Sequence, residues 1–241
     1  MPLFKCVISS VLLLLLSGCA HQNPHPHDPL ESINREIYGF NRAVDKGLLR
    51  PVAYFYRTHL PREVQGGAHN FFGHLSLLPT IANDLLQFKI AYALHDSSRF
   101  LINSTLGVAG FFDPATQLGL VSRQEDFGQT LYHWGVTESI YLVLPLLGPS
   151  TLRDTLGTVV DTTCFSAWPY LSSDLSYPLY GLDMVDKRAH LLKNEKLLES
   201  MGIDEYAFVR NAYLQGRNFV GLDGSQKDTE LDPFADTNWH D

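Results

Sequence analysis

The chain has 241 residues, of which 45% are hydrophobic and 18% charged, and its formal net charge is −8 at pH 7. This acidic balance excludes the basic surface typical of nucleic-acid binding and a polybasic surface for anionic lipids. Beyond the N-terminus, the most apolar run is residues 140–147, far short of the roughly 20 residues that a membrane-spanning helix needs.

Residues 1–18 predict a signal peptide, because a positive charge precedes the apolar segment 7–16. The sequence L-S-G-C follows at 16–19 and resembles the lipobox of bacterial lipoproteins, in which the cysteine is acylated. We therefore expect Cys19 to be the lipidated first residue of the mature chain, with two or more acyl chains for stable anchoring. The residue after this cysteine is Ala20 and not an aspartate, and the resemblance to lipoprotein sorting signals of Gram-negative bacteria implies export to the outer membrane.

Residues 19–27 predict a lipidated tether, because this segment is polar and interrupted by proline. Its histidines His21, His25 and His27 could bind a metal ion. We interpret the segment as a plain tether, since no cluster of partner ligands accompanies it. After processing, Cys164 is the remaining cysteine, so the monomer forms no disulfide, and we expect a small buried side chain there.

Residues 28–221 predict an all-α domain with little or no β structure, because no convincing run of strict alternation occurs. Asp28 is expected to cap the first helix, with Pro29 at its first position. Pro51 is expected to break or kink this helix. The apolar stripe of the helix contains Ile33, Ile37, Phe40, Val44 and Leu48. Further helices are expected over 77–100, from Ser150 to about Val160, from Asp183 and from Asp204.

The stretch 103–148 predicts a packed, hydrophobic hairpin, because glycines separate apolar pieces that are each too short for an ordinary helix. Residues 222–241 are acidic and contain few apolar side chains. They predict a disordered C-terminal tail.

The chain has no G-x-S-x-G, P-loop, H-E-x-x-H or C-x-x-C motif, which lowers the expectation of an enzyme. Ser150, after a Gly-Pro pair, suits a helix cap better than a nucleophile. Glu125 and Asp126 suit a solvated or arginine-paired turn better than an acid/base couple. We predict no catalytic residue, no cofactor and no metal.

Several motifs stand in order along the chain. They are D-P-L-E-S-I-N-R at 28–35, L-R-P-V-A at 49–53, N-D-L-L-Q at 83–87, R-F-L-I-N-S-T-L-G at 99–107, E-D-F-G-Q-T-L at 125–131, G-P-S at 148–150 and R-N-A-Y at 210–213. Together they resemble the MlaA (VacJ) family of outer-membrane lipoproteins. The chain departs from the common family pattern at Ile33 (often Phe), at Phe88 (often Gly) and at Ser139-Ile140-Tyr141 (often Gly-Pro-Tyr).

The resemblance implies a ring-like helical domain lying in the inner, periplasmic leaflet of the outer membrane. It implies retrograde phospholipid transport, in which mislocalised lipid passes from the outer leaflet through a channel to the periplasmic carrier MlaC. It also implies association with a trimeric porin, and no chemistry on the lipid. The alternatives are a structural envelope adaptor, bound to porins without moving lipid, and a lipid-modifying enzyme.

Three groups of site residues are predicted. The lipid path is expected to be lined or bordered by Asn34, Arg35, Phe40 and Asn41. The alternative is that Arg35 makes a structural ion pair and both asparagines bond backbone. The hairpin gate is expected to involve Gly135, Tyr141, Pro145 and Gly148. Contact with porin or lipid is expected at Leu106, Val108, Phe111 and Phe112, with core packing as the alternative.

Overall fold

A computed structural model describes residues 26–192 and 204–223. The signal peptide, Cys19, most of the tether and the tail beyond Asp223 lie outside the described residues. The described chain is an all-α fold with one small β-hairpin, so the predicted fold class is confirmed.

The first helical stretch contains a π-helical turn. Helix α1 (Glu31–Val44) continues through the π segment Asp45–Leu49 into α2 (Arg50–His59). Pro51 lies just after the π segment, and the helical stretch continues past it although the proline nitrogen donates no hydrogen bond. The prediction that Asp28 caps α1 is wrong, because Leu30 occupies the cap position and the Asp28 side chain is fully buried elsewhere.

Two long helices follow. Helix α3 (Arg62–Leu86) packs against α4 (Ile90–Thr105). The expected single helix over 77–100 is wrong, because the chain turns between them at Phe88, whose φ is 60°. This left-handed conformation strains a bulky residue, whereas a glycine would adopt it without strain.

The middle of the chain is built from short elements. Helix α5 (Pro114–Gln117) and α6 (Phe127–His133) precede strands β1 (Tyr141–Leu144) and β2 (Gly148–Thr151). The strands pair antiparallel, with Tyr141 opposite Thr151 and Leu144 opposite Gly148. The β-hairpin (residues 141–151) leads directly into α7 (Leu152–Val160).

The predicted cap at Ser150 is displaced by one residue. Thr151 caps α7, because its side chain accepts a hydrogen bond from the backbone N–H of Asp154. A π segment (Asp161–Phe165) and a 3₁₀ turn (Trp168–Tyr170) follow α7. Cys164 in the π segment is exposed, so the expectation of a buried thiol is wrong.

The last described helices are α8 (Ser173–Leu191) and α9 (Glu205–Gly221). The prediction that Asp183 begins a helix is wrong. Asp183 lies inside α8, where it accepts a hydrogen bond from Lys187. Asp204 caps α9 as predicted, accepting from the N–H of Ala207. Helix α8 packs against α2 and α3, whereas α9 packs against α6 and β2.

The distribution of polar and apolar side chains is inverted relative to a water-soluble protein. Twenty-one polar or charged residues and ten hydrophobic residues are buried in the described chain. By contrast, large apolar side chains such as Leu48, Phe55, Leu94, Leu101 and Leu156 are more than half exposed. Within the described ranges, no helix is long and apolar enough to cross a membrane.

Candidate functional site

Asn34 joins α1 to the β-hairpin. Its side-chain amide donates to the Tyr141 carbonyl oxygen at 3.1 Å and to Asp28 Oδ1 at 2.8 Å. Its side-chain oxygen accepts from the Val143 backbone N–H at 2.9 Å. Asn34 is buried, and it bonds the backbone of β1 much as a neighbouring strand would.

Asn41, two turns further along α1, makes the same kind of contact with the end of the hairpin. Its amide donates to the Leu144 carbonyl oxygen at 2.9 Å, and its side-chain oxygen accepts from the Leu146 N–H at 2.7 Å. Because residues seven apart lie on one helix face, the two asparagines attach the whole length of β1 to α1. Both asparagines therefore make hydrogen bonds to backbone, which is the alternative to a place in the lipid path.

The other two predicted path residues face elsewhere. Arg35 pairs with Glu31 at 2.8 Å and with Asp204 at 2.6 Å, and its guanidinium lies 4.4 Å from the centre of the Tyr206 ring. Hydrogen bonding to Asp204 is the main cause that raises the pKa of Arg35. Phe40 is 53% exposed. The structure therefore groups Asn34 with Asn41 and does not place all four residues on one face; their bordering a lipid path stays a prediction.

The predicted gate residues have distinct places in the hairpin region. Tyr141 is fully buried, with its ring edge-on to Tyr206 and Tyr213, and burial raises its pKa to about 12. Pro145 is exposed in the turn, and Gly148 has a φ of 85° just after it.

Gly135 lies six residues before β1, with a φ of 101° that a side chain would strain. The hairpin thus has one buried anchor and an exposed apolar turn, in which Leu146 and Leu147 are each more than half exposed.

A buried polar network holds the start of the described chain against the C-terminal helix. Asp28 Oδ2 accepts from the Tyr206 hydroxyl at 2.5 Å and from Arg210 Nη1 at 3.1 Å. Burial and then the bond to Asp28 raise the pKa of Tyr206, so the phenol stays a donor. Through Asn34, this network continues to the β-hairpin.

A second network joins α6, α7 and α9. Arg217 donates to both oxygens of Asp126, at 2.6 and 2.8 Å, and to Asp154 at 2.8 Å. Burial would raise the pKa of Asp126, but the hydrogen bonds and charge of Arg217 outweigh it, and the pKa falls below its usual range. A cavity of about 260 Å³ opens beside Arg153 and Arg217. Both cations already have carboxylate partners, so the cavity wall is close to charge-balanced.

The glycine-rich stretch after α4 forms a loop that polar side chains hold in place and that exposes apolar side chains. Asn103 and Arg99 both bond Asp113, at 2.9 and 3.1 Å, and Asp113 also caps α5 through the Thr116 N–H. Burial would raise the pKa of Asp113, but hydrogen bonds led by Thr116 and Asn103 outweigh it and hold the value at about 2.

The predicted contact residues lie on this loop. Leu106, Val108 and Phe112 are 70%, 65% and 57% exposed, and Phe111 is 38% exposed. The ring of Phe111 lies where a side chain on Gly67 of α3 would stand, so this aromatic is partly held by α3. The exposure favours contact over core packing, whereas the identity of the contacting molecule stays a prediction.

Sequence reasoning missed a buried carboxylate cluster between α3, α4 and the segment after α5. Asp84 and Asp96 are both fully buried, and each has an oxygen 3.8 Å from the guanidinium of Arg123. Burial is the main cause that raises the pKa of Asp84 to about 7, while Arg123 opposes it. Asp84 and Glu125 stand inside the matched motifs, but the motifs do not reveal that these residues meet.

Comparison with known proteins gives a consistent result. A model of the MlaA lipoprotein family matches residues 26–220. Relatives named intermembrane phospholipid transport system lipoprotein MlaA, from Shigella flexneri and Escherichia coli K12, are each 34% identical over 223 residues, covering 90% of this chain and 88% of theirs. The relative of that name from Haemophilus influenzae is 30% identical over 230 residues, which is 91% of this chain and 92% of its own.

A solved structure also matches. It is described as the structural basis for maintenance of bacterial outer membrane lipid asymmetry, and the similarity covers 80% of this chain and 98% of the solved one. The TM-score is 0.73 at 33% sequence identity.

Proposed function

Because this chain belongs to the MlaA lipoprotein family, we propose that it is the lipoprotein component of an intermembrane phospholipid transport system that maintains lipid asymmetry. It takes mislocalised phospholipid from the outer leaflet of the outer membrane and passes it through a channel to the periplasmic carrier MlaC. The chain performs no covalent chemistry on the lipid.

The inverted distribution of side chains carries this proposal. Exposed leucine and aromatic side chains are stable against hydrocarbon, whereas buried carboxylates, amides and guanidinium groups provide a polar interior. Since no described helix is long and apolar enough to span a bilayer, such a body suits one leaflet, with its acyl anchor at Cys19. A polar interior beneath a leaflet suits the passage of a headgroup, while the lipid tails stay in an apolar environment.

The β-hairpin is proposed as the moving part. Asn34 and Asn41 hold it against α1 through four backbone groups. Gly135 precedes β1 by six residues and Gly148 begins β2, and both have a positive φ. Releasing the outer contact at Asn41 frees the turn around Pro145 without disturbing the buried Tyr141 anchor. In this proposal the α1 residues Arg35 and Phe40 border the path on either side of the hairpin contact.

The exposed loop after α4 is proposed as the contact with a trimeric porin. Leu106, Val108, Phe111 and Phe112 form an apolar surface on a backbone that Asp113 and Asn103 fix from inside. A rigid apolar loop loses little conformational entropy when it docks on another membrane protein.

The transport proposal is tested in a strain that lacks this gene. Surface phospholipid is measured by labelling the outer-leaflet amine headgroups with a membrane-impermeant reagent. We expect surface labelling to rise in the null strain and to return to its original level on complementation. If surface labelling in the null strain is unchanged, while the protein in the complemented strain still binds a porin, the structural adaptor is favoured instead.

Hairpin movement is tested with a disulfide lock. Asn41→Cys and Leu146→Cys are introduced into a Cys164→Ser background, because the exposed Cys164 thiol would otherwise compete. The oxidised double variant is expected to fail in complementation, and the same protein kept reduced serves as its control. Full complementation by the oxidised, folded protein would show that hairpin movement is not needed.

A further inference from the structure

One group of side chains is not used by the proposed transport function. His69 on α3 and Asp186 and His190 on α8 come together beside α2, and one ligand atom from each lies within 4.8 Å of the others. Asp186 and His190 are one helical turn apart, whereas His69 is separated from Asp186 by 117 residues. The cluster therefore joins two helices that are distant in the sequence.

The carboxylate of Asp186 is hydrogen-bonded to His69 and lies close to His190, whose Nδ1 also lies 2.9 Å from the backbone carbonyl oxygen of Asp186. Oδ2 lies 2.9 Å from Nδ1 of His69 and 3.6 Å from Nδ1 of His190. Oδ1 accepts a hydrogen bond from the Tyr56 hydroxyl at 3.0 Å, so this second oxygen has its own partner. The carboxylate side chain is 1% exposed, and Tyr56 fixes its orientation.

These distances suit a small tetrahedral ion. Two ligands that are each about 2.0–2.1 Å from such an ion stand about 3.3 Å apart, and the two nitrogen–oxygen distances lie on either side of this value. The imidazole rings lie 4.3 Å apart, at 34° to each other. The three ligand atoms lie within 4.8 Å of one another, so the rings must turn inward to bind one ion, and His190 Nδ1 must leave the Asp186 carbonyl oxygen.

Solvent access to the two histidines and the charge around them are compatible with a bound cation. The side chains of His69 and His190 are 56% and 53% exposed, which leaves a route from solvent and an open position for water. The nearby Lys187 is paired with Asp183 at 2.7 Å, so its charge is locally compensated. Two imidazoles and one carboxylate form a ligand set that suits Zn²⁺ better than Mg²⁺ or Ca²⁺.

We propose that His69, Asp186 and His190 bind one divalent transition-metal ion of the zinc class, with Tyr56 orienting the carboxylate. The ion replaces the Nδ1 protons of both histidines and links α3 to α8.

The test uses the purified, acylated mature protein in detergent, with His21, His25 and His27 changed to glutamine in every sample to remove the tether histidines. ZnCl₂ is titrated by calorimetry after treatment with a chelator. We expect one Zn²⁺ to bind per chain, and His69→Gln and His190→Gln each to weaken the affinity at least about tenfold. His133→Gln, which changes an exposed histidine on α6, is expected to leave the affinity unchanged.

A second measurement separates ligation from folding. Co²⁺ in place of Zn²⁺ is expected to give the intense visible absorption of a tetrahedral site in the parent and in His133→Gln, and to lose that intensity in His69→Gln. Circular dichroism confirms that each variant is folded. The absence of saturable Zn²⁺ binding to the parent, or equal affinity in all three variants, would overturn the proposal.

Discussion

Asn34→Ala is expected to destabilise the protein more than an alanine substitution at any other residue of the hairpin contact. The substitution leaves the Tyr141 carbonyl and the Val143 N–H without their side-chain partner, in a place closed to water. Each such buried group costs about 1–3 kcal/mol, so we expect the free energy of unfolding to fall by about 2–6 kcal/mol. Asp28 loses one bond but keeps Tyr206 and Arg210.

Asn41→Ala is the matched control. It removes the same two kinds of bond, but Asn41 is half-buried and the Leu146 N–H lies at the exposed turn. Water replaces the lost partner there, and the expected loss is about 1 kcal/mol. Asn34→Asp separates shape from hydrogen bonding, because it still accepts from Val143 but donates to neither Asp28 nor the Tyr141 carbonyl. It should destabilise at least as strongly as Asn34→Ala.

Two assays check this reasoning. Urea unfolding of the detergent-solubilised protein gives the loss of unfolding free energy, and hydrogen exchange reports the two amides separately. The Val143 amide should lose protection in Asn34→Ala, and the Leu146 amide in Asn41→Ala. Equal small losses of stability in both alanine variants, or an unchanged Val143 amide in Asn34→Ala, would refute the assignment of Asn34 as the main hairpin contact.

Four further predictions follow from other parts of the chain. Cys19→Ala should abolish labelling by a palmitate analogue, and full labelling would contradict the lipobox. Photo-crosslinkers at Leu106 and Phe112 should capture a porin, and adducts with lipid alone would exclude that partner at this surface. Phe88→Gly should raise the free energy of unfolding by about 1 kcal/mol by relieving the left-handed strain, and an equal gain in Phe88→Ala would exclude this cause. Because the pKa of Asp113 is lowered to about 2, its contribution to stability should be complete above its ordinary pKa of 3.8 and lost as the pH falls towards 2; Asp113→Asn should remove that acid-dependent loss in a pH titration of unfolding.

The sequence predicted where helices form better than what they face. The apolar stripe predicted for the first helix runs from α1 into the π segment, and its members Phe40 and Leu48 are more than half exposed, while the polar Asn34 is buried. Periodicity identifies a common face and does not reveal whether protein, water or hydrocarbon covers it. The π segment Asp45–Leu49 then adds a residue to one turn, which moves the stripe out of phase before α2.

A hairpin was predicted in this region, but its β structure was not, for a related reason. Residues 141–144 alternate between buried and half-exposed positions, but all four are apolar, so the alternation leaves no polar mark in the sequence. The contacts that fix the hairpin also join Asn34 to a residue 107 positions away, and no local pattern indicates such a pairing.

The matched motifs acquire a physical meaning from the structure. Their polar members are largely the buried ones, and they hold one element to another through hydrogen bonds. Examples are Asp28, Asn34, Asn83, Arg99, Asn103, Gln129 and Arg210. The motifs therefore describe a polar interior, whereas the residues proposed to meet lipid or porin are mostly apolar and lie on the surface.

The polar interior has a consequence for the thermodynamics of unfolding. The positive heat capacity change of an ordinary protein arises because apolar surface becomes hydrated, and exposing polar surface acts in the opposite direction. Here many large apolar side chains already lie outside, and a detergent micelle would cover them in the folded and unfolded chain alike, while unfolding hydrates buried carboxylates and amides. Calorimetry in micelles should thus give a small heat capacity change and a flat dependence of stability on temperature, without the loss on cooling that water-soluble domains of this size show.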